Sequence, residues 1–536
     1  MMKSIFNNNY ILNAVLLLAV VLGLVLRVYG LGNSGIFFYD EAMYYDHTLP
    51  VLDFISKHHL AGFSDWSKAA MVYLQVALSF TKPIWIFIVD SRCLLGQMTN
   101  WDYAKYASCL FGILTLPLMF LFSRRFFDSR VAAVLATALL AVLPSHVFYS
   151  RLGMQEAFSV FAVLLGFYFY LFPRAFGVGT FVAGFCLSLG FFANYRLIVL
   201  PLFLIFTELW FGFRDKGGIR WRHLVWACVT FVAMMVLVGS LMDGANTRFV
   251  FAWVFHQGDL AATKGAWTEF LAYPYYLFRL ENVIFGALFF GSSCFLFKRD
   301  RKVSWLLALS CLQMLLFSMA SDRGVRYMAI VLPFIVMAVV AVMVAAHDKF
   351  KGSAGIAVLW LIFLVMFSGL IVKSYELALA SSDHERVVRY FEERSLTPRF
   401  LSSQSLVEGL YLDDRKGAQP LPTNIMDLQK YYKQGFHYLV LDPQAYVAFS
   451  ANNFKWALPL KDYLGFVDQN IMPEKVFMHF NRAVMERFVF EHSDNLFQSI
   501  RFLNSGDLAR AMTLRVYDLS RVMPVLFQAV NGAQKK

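Results

Sequence analysis

The chain contains a series of long apolar runs, and these runs constrain its fold more than any other feature of the sequence. Most are roughly 17–20 residues long, about the length of helix that crosses the hydrocarbon core of a bilayer. Hydrophobic residues make up 59% of the 536 residues and charged residues only 16%, with the charges in short clusters between the runs. Because a backbone in lipid must satisfy its own hydrogen bonds, the runs predict membrane-spanning helices. We therefore predict an α-helical polytopic membrane protein.

About eleven transmembrane helices fit the pattern of apolar runs. They are predicted at residues 11–28, 104–122, 131–148, 156–172, 178–194, 196–212, 223–241, 280–297, 303–320, 327–346 and 354–372. The segment 70–98 is also apolar, but Lys82, Pro83, Asp90 and Arg92 interrupt it. Charges at bilayer depth are costly. This segment is therefore predicted to lie in the membrane interface or to be buried against protein.

The distribution of Lys and Arg predicts how the helices are oriented. If 70–98 does not span, the basic clusters, such as 124–130, 214–222 and 298–302, all fall on one side, and the opposite short loops carry few basic residues. The side with the excess is the cytoplasmic one. This predicts a cytoplasmic N-terminus and an extracytoplasmic C-terminal region in a multi-pass protein of the cytoplasmic membrane. It also accounts for the net charge of +12 without nucleic-acid binding.

Two domains are predicted from the change of pattern near residue 374. Residues 1–373 form the transmembrane domain, in which 29–103 is a long first outer loop. Residues 374–536 mix helical patterns with a strand-like Phe436–Leu441, which predicts a small extracytoplasmic α/β domain. The six cysteines of the chain form no CxxC pair, so they predict neither a metal site nor a disulfide framework.

Asp40 and Glu41 stand side by side in FFYDEAMYY, beyond the first predicted span. A carboxylate among aromatic side chains at a membrane surface can have its pKa raised and act as a base, or can bind a divalent cation. Helix capping explains the pair as well, with Asp40 as the N-cap residue and Glu41 favoured by the helix dipole. Glu156, in SRLGMQE at the outer end of the fourth predicted span, is open to the same two interpretations.

Basic residues recur on the same predicted face of the membrane. Each alone is typical of an interfacial residue whose charged end reaches out of the apolar region. As a set they suit a phosphate-bearing lipid, because a guanidinium binds phosphate through paired hydrogen bonds. The set consists of Lys82, Lys105, Arg151, Arg196 and Arg326, the last of which is followed by Tyr327 and preceded nearby by Asp322 and Arg323.

Several common functional motifs are absent from the sequence. There is no HxxxH or HExxH spacing among the histidines, no Walker A loop, no GxGxxG opening a helix and no GxSxG elbow. These absences disfavour a dedicated zinc site, an ATP-driven transporter and a cytosolic nucleotide-sugar enzyme. The histidines predicted on the outer face are His47, His58, His59, His146 and His256.

Taken in order, these motifs resemble the GT-C glycosyltransferases of the protein O-mannosyltransferase and aminoarabinose (lipid A) transferase type. The shared elements, which lie within roughly 10–350, are the DE pair with nearby tyrosines, the KP step at Lys82, a basic residue opening the next helix, the SR-x-G-M-x-E stretch and the RY pair. The resemblance implies a GT-C fold for the transmembrane domain.

The resemblance also implies a function. Such enzymes transfer a sugar, with inversion, from a polyprenyl-phosphate donor to a lipid, glycan or protein acceptor. It implies that Asp40 is the catalytic base, that Glu41 and Glu156 assist, and that a divalent cation is the one cofactor, with Asp40 and Glu41 as its candidate ligands. The implied donor phosphate site comprises Lys82, Lys105, Arg151, Arg196, Arg326 and Tyr327.

Two alternatives from other functional classes stay open. A membrane transporter or flippase of lipid-linked sugars would place charged or Gly/Pro-broken segments near the middle of the membrane. Here the charges of interest lie at the outer ends of the predicted helices, which disfavours this alternative. A non-catalytic envelope assembly protein would use its C-terminal domain as a binding module, and Asp40 would then be dispensable.

Overall fold

The computed structural model describes residues 9–57, 63–95, 100–172, 178–212, 219–242, 244, 248, 270–296, 300–318, 324–350, 353–422, 424–442, 465–492 and 496–533. The chain divides into two units. The first comprises Met1–Leu31, His47–Ser321 and Val325–Ala378, and the second comprises Gly32–Asp46, Asp322–Gly324 and Leu379–Lys536. This division differs from the predicted boundary at residue 374, because part of the first outer loop joins the C-terminal region.

The first unit is built from helices. The α-helices are Asn9–Val28, Leu49–Lys57, Phe63–Leu78, Pro83–Leu94, Tyr103–Phe127, Arg130–Ala141, Pro144–Tyr149, Glu156–Leu171, Val178–Ala193, Leu200–Gly212, Trp221–Leu241, Ala272–Tyr276, Val283–Leu296, Arg301–Ser318, Leu332–Lys349 and Ser353–Ala378. Short 3₁₀ helices cover Leu31–Asn33, Tyr195–Val199 and Val325–Val331. A π-helical turn covers Leu277–Glu281.

Six helices among the described residues are long and apolar enough to cross a membrane. They are Asn9–Asn33, Tyr103–Phe127, Tyr195–Gly212, Trp221–Leu241, Val325–Lys349 and Ala354–Ala378. The helix Trp221–Leu241 has apolar side chains on its surface: Val232 and Val236 are 50% and 65% exposed. Such apolar surface is stable only away from water. The chain is therefore an integral membrane protein, and the count of eleven spans stays a prediction.

The predicted span 131–148 is broken into two helices, Arg130–Ala141 and Pro144–Tyr149. Proline lacks an N–H and disfavours helical backbone in the residue before it. Leu143 is accordingly extended, with φ −72° and ψ 117°, and a new helix begins at Pro144. The break thus follows from the sequence, although the apolar pattern runs through it.

The apolar segment 70–98 is not one continuous helix. It falls in the helices Phe63–Leu78 and Pro83–Leu94, and neither is among the long apolar helices described above. Lys82 separates them with a non-helical backbone, and Pro83 fits the first turn of the following helix, where an N–H is not needed. Two short helices in this region agree with a segment that does not span.

The second unit contains a five-stranded sheet among its described residues, with strands β1 (Phe400–Ser402), β2 (Ala418–Pro420), β3 (Tyr438–Leu441), β4 (Lys475–Met478) and β5 (Thr513–Asp518) in the order β2-β1-β3-β5-β4. β1 pairs in parallel with β2 and β3, and β5 is antiparallel to β3 and β4. The helices are Tyr39–His47, His384–Glu392, Ser405–Gly409, Ile425–Lys433, Arg482–His492, Leu496–Leu503, Asp507–Ala511 and Leu519–Ala533, with a 3₁₀ turn at Arg415–Gly417.

The sheet buries apolar side chains on both faces, because successive residues of a strand point to opposite sides. In β3, Leu439 and Leu441 pack in one core with Val522 of helix Leu519–Ala533. Val440 lies between them in sequence and packs in the other core with Val387 of helix His384–Glu392. Two covered faces account for the continuous apolar run of β3.

The segment 32–46 is fastened to the C-terminal part of this unit by its backbone. The N–H of Ser382 donates to the carbonyl of Ser34 at 2.7 Å. Gly35 has φ +67°, and a Cβ there would lie 2.8 Å from the carbonyl oxygen of Ser382. Only glycine combines this dihedral angle with so close an approach. This contact sets the start of the segment that leads to Asp40.

Candidate active site

The helix that carries the acidic pair begins at Tyr39, so Asp40 lies inside its first turn and is not its N-cap residue. Glu41 is fully buried, and its Oε1 accepts hydrogen bonds from the backbone N–H groups of Phe37 at 3.0 Å and Phe38 at 3.1 Å. A glutamate at the third helical position that reaches back to the N-cap N–H is the acidic half of a capping box. The capping role that was predicted for Asp40 therefore falls to Glu41.

Asp40 itself is half-buried in the first turn of the helix, where the unpaired N–H groups favour a negative charge. The preceding turn is held by aromatic packing within the second unit. Phe37 stacks on Phe480 with ring centroids 5.4 Å apart, and Phe38 stacks on Phe488 at 5.8 Å. A carboxylate on such a supported turn has a well-defined position, which a catalytic base requires.

Three of the predicted phosphate-site residues meet in the first unit. The guanidinium carbon of Arg196 lies 4.5 Å from the centroid of the Tyr327 ring, and that of Arg326 lies 5.7 Å from the same ring. Tyr327 is buried, and its carbonyl accepts a hydrogen bond from Gln313 Nε2 at 3.2 Å. The aromatic ring attracts both cations and so holds two positive charges near one another. Two arginines in one place form a site that favours a phosphate group.

The first unit also contains an apolar cavity of about 440 Å³. Its lining is Thr81, Phe191, Phe192, Tyr195, Val232, Met235, Val236, Gly239, Ser240 and Met242. Thr81 directly precedes Lys82, and Tyr195 directly precedes Arg196, whose guanidinium carbon is 5.3 Å from the Tyr195 ring. The cavity therefore combines apolar walls with basic residues next to two of its lining positions.

Lys105 and Lys82 are both buried, in different settings. Lys105 is 1% exposed and forms an ion pair with Asp102, with Nζ 2.6 Å from Oδ1. Lys82 is 5% exposed, and its carbonyl accepts hydrogen bonds from the N–H groups of Trp85 and Ile86 at the start of helix Pro83–Leu94. The ion pair with Asp102 offsets the charge of Lys105 within the first turn of its helix.

Arg151 is buried and donates to main-chain carbonyls. Its Nη1 lies 3.2 Å from the carbonyl oxygen of Leu26, 3.0 Å from that of Arg27 and 2.8 Å from that of Tyr29, and its Nη2 lies 2.8 Å from that of Ala378. These carbonyls close the helices Asn9–Val28 and Ser353–Ala378, where cations are favoured. Arg151 thus holds two helix ends together, and a phosphate contact by it stays a prediction.

Glu156 is the first residue of helix Glu156–Leu171 and is buried, and its Oε1 accepts a hydrogen bond from Gln155 Nε2 at 3.1 Å. Its place in the first helical turn fits the dipole interpretation without excluding a further role. Other predicted residues lie outside the described part of the chain, namely His58, His59, His256, Asp322 and Arg323.

Two groups of residues have features that the sequence patterns do not predict. Asp90 is completely buried, and neither of its oxygens has a hydrogen-bond partner among the described residues. Burial raises the pKa of Asp90 to about 8, and the nearby positive charge of Arg92 lowers it by a smaller amount.

In the second unit, His384, Asp442 and His479 bring ligand atoms within 4.8 Å of one another and could hold a metal ion. The sequence signals were weak, because the three residues are far apart in the chain and no short motif links them.

The sequence and the fold of the chain are similar to those of known proteins. Residues 17–246 match the sequence profile of the family described as dolichyl-phosphate-mannose-protein mannosyltransferase. No curated protein sequence matches the chain.

Solved structures with a similar fold include the Archaeoglobus fulgidus oligosaccharyltransferase. In complex with Zn and sulfate it gives a TM-score of 0.54 at 13% identity, covering 84% of this chain and 69% of that chain. As AglB with an inhibitory peptide and a dolichol-phosphate it gives 0.53 at 12% identity, with coverages of 85% and 72%. ArnT from Cupriavidus metallidurans bound to undecaprenyl phosphate gives 0.54 at 15% identity, with coverages of 81% and 94%.

The family match and the structural similarity come from different properties of the chain, one from residue identities and one from the path of the backbone. They confirm the resemblance predicted from the DE, KP, SR…E and RY motifs: residues 17–246 match the sequence profile of the dolichyl-phosphate-mannose-protein mannosyltransferase family, and the chain shares its fold with the archaeal oligosaccharyltransferase and with ArnT.

Proposed function

We propose that this protein transfers a sugar, with inversion, from a polyprenyl-phosphate donor to a lipid, glycan or protein acceptor on the outer face of the cytoplasmic membrane. The observation that carries the proposal is the apolar cavity. Two of its lining residues, Thr81 and Tyr195, are each followed in the sequence by a basic residue, Lys82 and Arg196 respectively. A polyprenyl phosphate has the same division into a long apolar chain and an anionic end.

The donor would bind with its hydrocarbon chain against the apolar walls and its phosphate near Arg196 and Arg326. The cavity volume falls within the range of about 300–1,000 Å³ that is usual for ligand sites. Proteins of the same fold have been solved with dolichol-phosphate and with undecaprenyl phosphate. The volume of the cavity, its apolar lining and the fold of the chain thus favour the same class of ligand.

In the proposed reaction, Asp40 accepts the proton of the acceptor hydroxyl as its oxygen attacks the anomeric carbon. The bond between that carbon and the phosphate oxygen breaks, and polyprenyl phosphate leaves with the negative charge. Lys82, Arg196 and Arg326 would stabilise that charge as it develops. A single displacement of this kind inverts the anomeric configuration. Arg151 and Lys105 would position these groups, and Glu156 would orient a basic partner or the sugar.

The choice of Asp40 over Glu41 follows from the hydrogen bonds that Glu41 accepts. Glu41 Oε1 already accepts two backbone N–H groups and is needed to start the helix. This also leaves Glu41 poorly suited to hold a divalent cation, since that oxygen is engaged. A cation held by Asp40 and Glu41 therefore stays a prediction, and no step of the proposed reaction depends on it.

The base role can be tested with Asp40→Asn and the matched control Asp46→Asn. Asp46 lies on the same helix, is 48% exposed and pairs with Arg415 at 3.5 Å. Release of polyprenyl phosphate from a panel of lipid-linked sugars would be measured. Loss of a general base lowers turnover by about 10²–10⁴-fold, so Asp40→Asn should fall by at least about a hundredfold and Asp46→Asn should stay within about twofold. Undiminished turnover by Asp40→Asn would refute the base role.

The donor site can be tested with Arg196→Lys, with Arg301→Lys as its control. Arg301 also lies against an aromatic ring, 5.1 Å from the centroid of Phe211. Lysine keeps the charge but loses the paired hydrogen bonds of a guanidinium. We expect Arg196→Lys to raise KM for the donor by about tenfold or more, a loss of roughly 1.4 kcal/mol, and Arg301→Lys to leave it unchanged. Wild-type protein that turns over no donor would favour the transporter or assembly alternatives.

We also propose the topology of eleven spans with a cytoplasmic N-terminus and an extracytoplasmic C-terminal unit. It can be tested by labelling single cysteines with a membrane-impermeant thiol reagent in a cysteine-free variant. Arg124→Cys and Lys430→Cys are both at exposed positions. Labelling from outside is expected at position 430 and not at 124. External labelling at position 124 would overturn the topology.

A further inference from the structure

The second unit contains a buried cluster of His384, Asp442 and His479, none of which is among the residues assigned to sugar transfer. His384 is the first residue of helix His384–Glu392, Asp442 follows β3 and His479 follows β4. All three side chains are buried, with exposures of 1%, 1% and 4%. Imidazole and carboxylate groups in the interior of a domain are usually hydrogen-bonded, paired or bound to a metal ion.

The sheet topology explains why Asp442 and His479 meet. β3 and β4 are each antiparallel to β5, which lies between them. The two strands therefore run in the same direction, and their C-terminal ends lie on the same side of the sheet, next to the start of β5. The N–H of His479 continues the ladder by donating to the carbonyl of Met512 at 2.9 Å. The two side chains therefore approach each other across the start of β5, and helix His384–Glu392 adds the third.

The contacts of His384 are those of a metal ligand. Its Nδ1 lies 3.1 Å from Oε1 of Glu408, which is also fully buried. A carboxylate that accepts from one ring nitrogen leaves the lone pair of the other, Nε2, for a metal. This arrangement of a carboxylate behind a histidine fixes both the ring orientation and the tautomer, and it recurs behind histidine ligands of zinc.

His479 supplies the second observation that points to a ligand. Its Nε2 is buried and has no hydrogen-bond partner among the residues that the structure describes. Its Nδ1 accepts a long hydrogen bond of 3.3 Å from the N–H of Asp383. Coordination through Nε2 would place the ring proton on Nδ1 and so break that weak bond. In exchange, an orphaned buried nitrogen would gain a strong partner.

The residue types select the class of metal. Two imidazoles disfavour Ca²⁺ and Mg²⁺, which prefer oxygen ligands, and favour Zn²⁺ and similar ions. Ligand atoms around a tetrahedral zinc at 2.0–2.1 Å lie about 3.3 Å apart. The ligand atoms here lie within 4.8 Å of one another, so binding requires them to approach by at most about 1.5 Å.

We propose that His384, Asp442 and His479 bind one zinc-class divalent metal ion that fastens the C-terminal part of the second unit around the segment 32–46. The neighbours of the ligands make the connection. Ser382, two residues before His384, donates to the carbonyl of Ser34. Phe480, the residue after His479, stacks on Phe37. The ion is structural, so its presence does not depend on the proposed sugar transfer.

The test measures metal directly. Full-length wild-type protein, Asp442→Asn, His479→Gln and the control His437→Gln are purified and their zinc content is determined by mass spectrometry. His437 is an exposed histidine of the same domain. About one equivalent per chain is expected in wild type and in His437→Gln, and less than about a tenth in the two ligand variants, since the ion needs its full ligand set. Equal metal content in all four proteins would overturn the proposal.

A second measurement avoids reliance on variants that fold poorly. Wild-type protein is stripped with a chelator and titrated with Co²⁺, whose visible absorption reports its ligand geometry, and then with Zn²⁺. Saturation at one equivalent, together with a rise in melting temperature on adding Zn²⁺, is expected. Stripped wild-type protein that takes up neither ion would overturn the proposal. Neither readout involves turnover, so failure here is separable from failure of the proposed transferase activity.

Discussion

Substituting Glu41 should lower stability far more than substituting Asp40, although the two residues are adjacent. In Glu41→Ala, the N–H groups of Phe37 and Phe38 lose an acceptor at 3.0 and 3.1 Å in a fully buried place. Hydrogen bonds to a charged group contribute about 1.5–3 kcal/mol each. The smaller alanine side chain leaves space that water can enter, and water can replace part of the lost hydrogen bonding. We therefore expect a combined loss of about 3–4 kcal/mol, near the lower end of the sum for two bonds. Glu41→Gln keeps a neutral acceptor and should lose about 1–2 kcal/mol.

These losses convert into melting temperatures. For a domain of about 150–250 residues, 1 kcal/mol shifts the midpoint by about 2–4 °C. Glu41→Ala should therefore lower the unfolding transition of the second unit by about 6–16 °C, and Glu41→Gln by about 2–8 °C. Asp40→Asn should melt within about 2 °C of wild type while losing turnover, because Asp40 is not the residue that caps the helix.

Scanning calorimetry of detergent-solubilised protein gives the transitions, and turnover is measured well below all of them. If Glu41→Gln melts at the wild-type temperature and loses as much turnover as Asp40→Asn, the capping assignment is wrong and Glu41 is catalytic. If Asp40→Asn unfolds earlier than Glu41→Gln, the roles of the two carboxylates are reversed.

Two further predictions concern other parts of the fold. Because burial raises the pKa of Asp90 from 3.8 to about 8, the folded protein keeps a proton that the unfolded chain releases above about pH 4. Stability should therefore fall as pH rises from about 4 to 8, and Asp90→Asn should remove much of this slope in melting temperature; an unchanged slope would contradict the assignment. Gly35→Ala should destabilise the second unit by more than about 1 kcal/mol, measured as a lower melting temperature, because the new Cβ meets Ser382 at an unfavourable dihedral angle. Wild-type stability in this variant would show that segment 32–46 is not held as described.

Some local features of the structure could have been predicted from the sequence alone. Lys105 and Asp102 are three residues apart at the start of a helix, a spacing at which opposite charges pair, and the structure shows that pair. The break at Pro144 likewise follows from local backbone rules. The apolar pattern and the family motifs predict neither feature, because such patterns do not encode local contacts or backbone breaks.

Other contacts depend on residues that are far apart in the chain. The acceptors of Arg151 are main-chain carbonyls of Leu26, Arg27, Tyr29 and Ala378, and a carbonyl has no sequence signature. The approach of Arg196 to Tyr327 joins segments that are 131 positions apart in the numbering. No local period or spacing encodes such a contact.

The sequence by itself determined that the chain is a membrane protein and that it carries the motifs of a lipid-linked-sugar glycosyltransferase. Both properties depend on composition and on short motifs, which a chain shows before it folds. The tertiary structure alone decided that Glu41 caps its helix, that two arginines share the ring of Tyr327, and that His384, Asp442 and His479 converge. These are long-range or side-chain arrangements, fixed by how helices and strands pack and not by the residues' order along the chain.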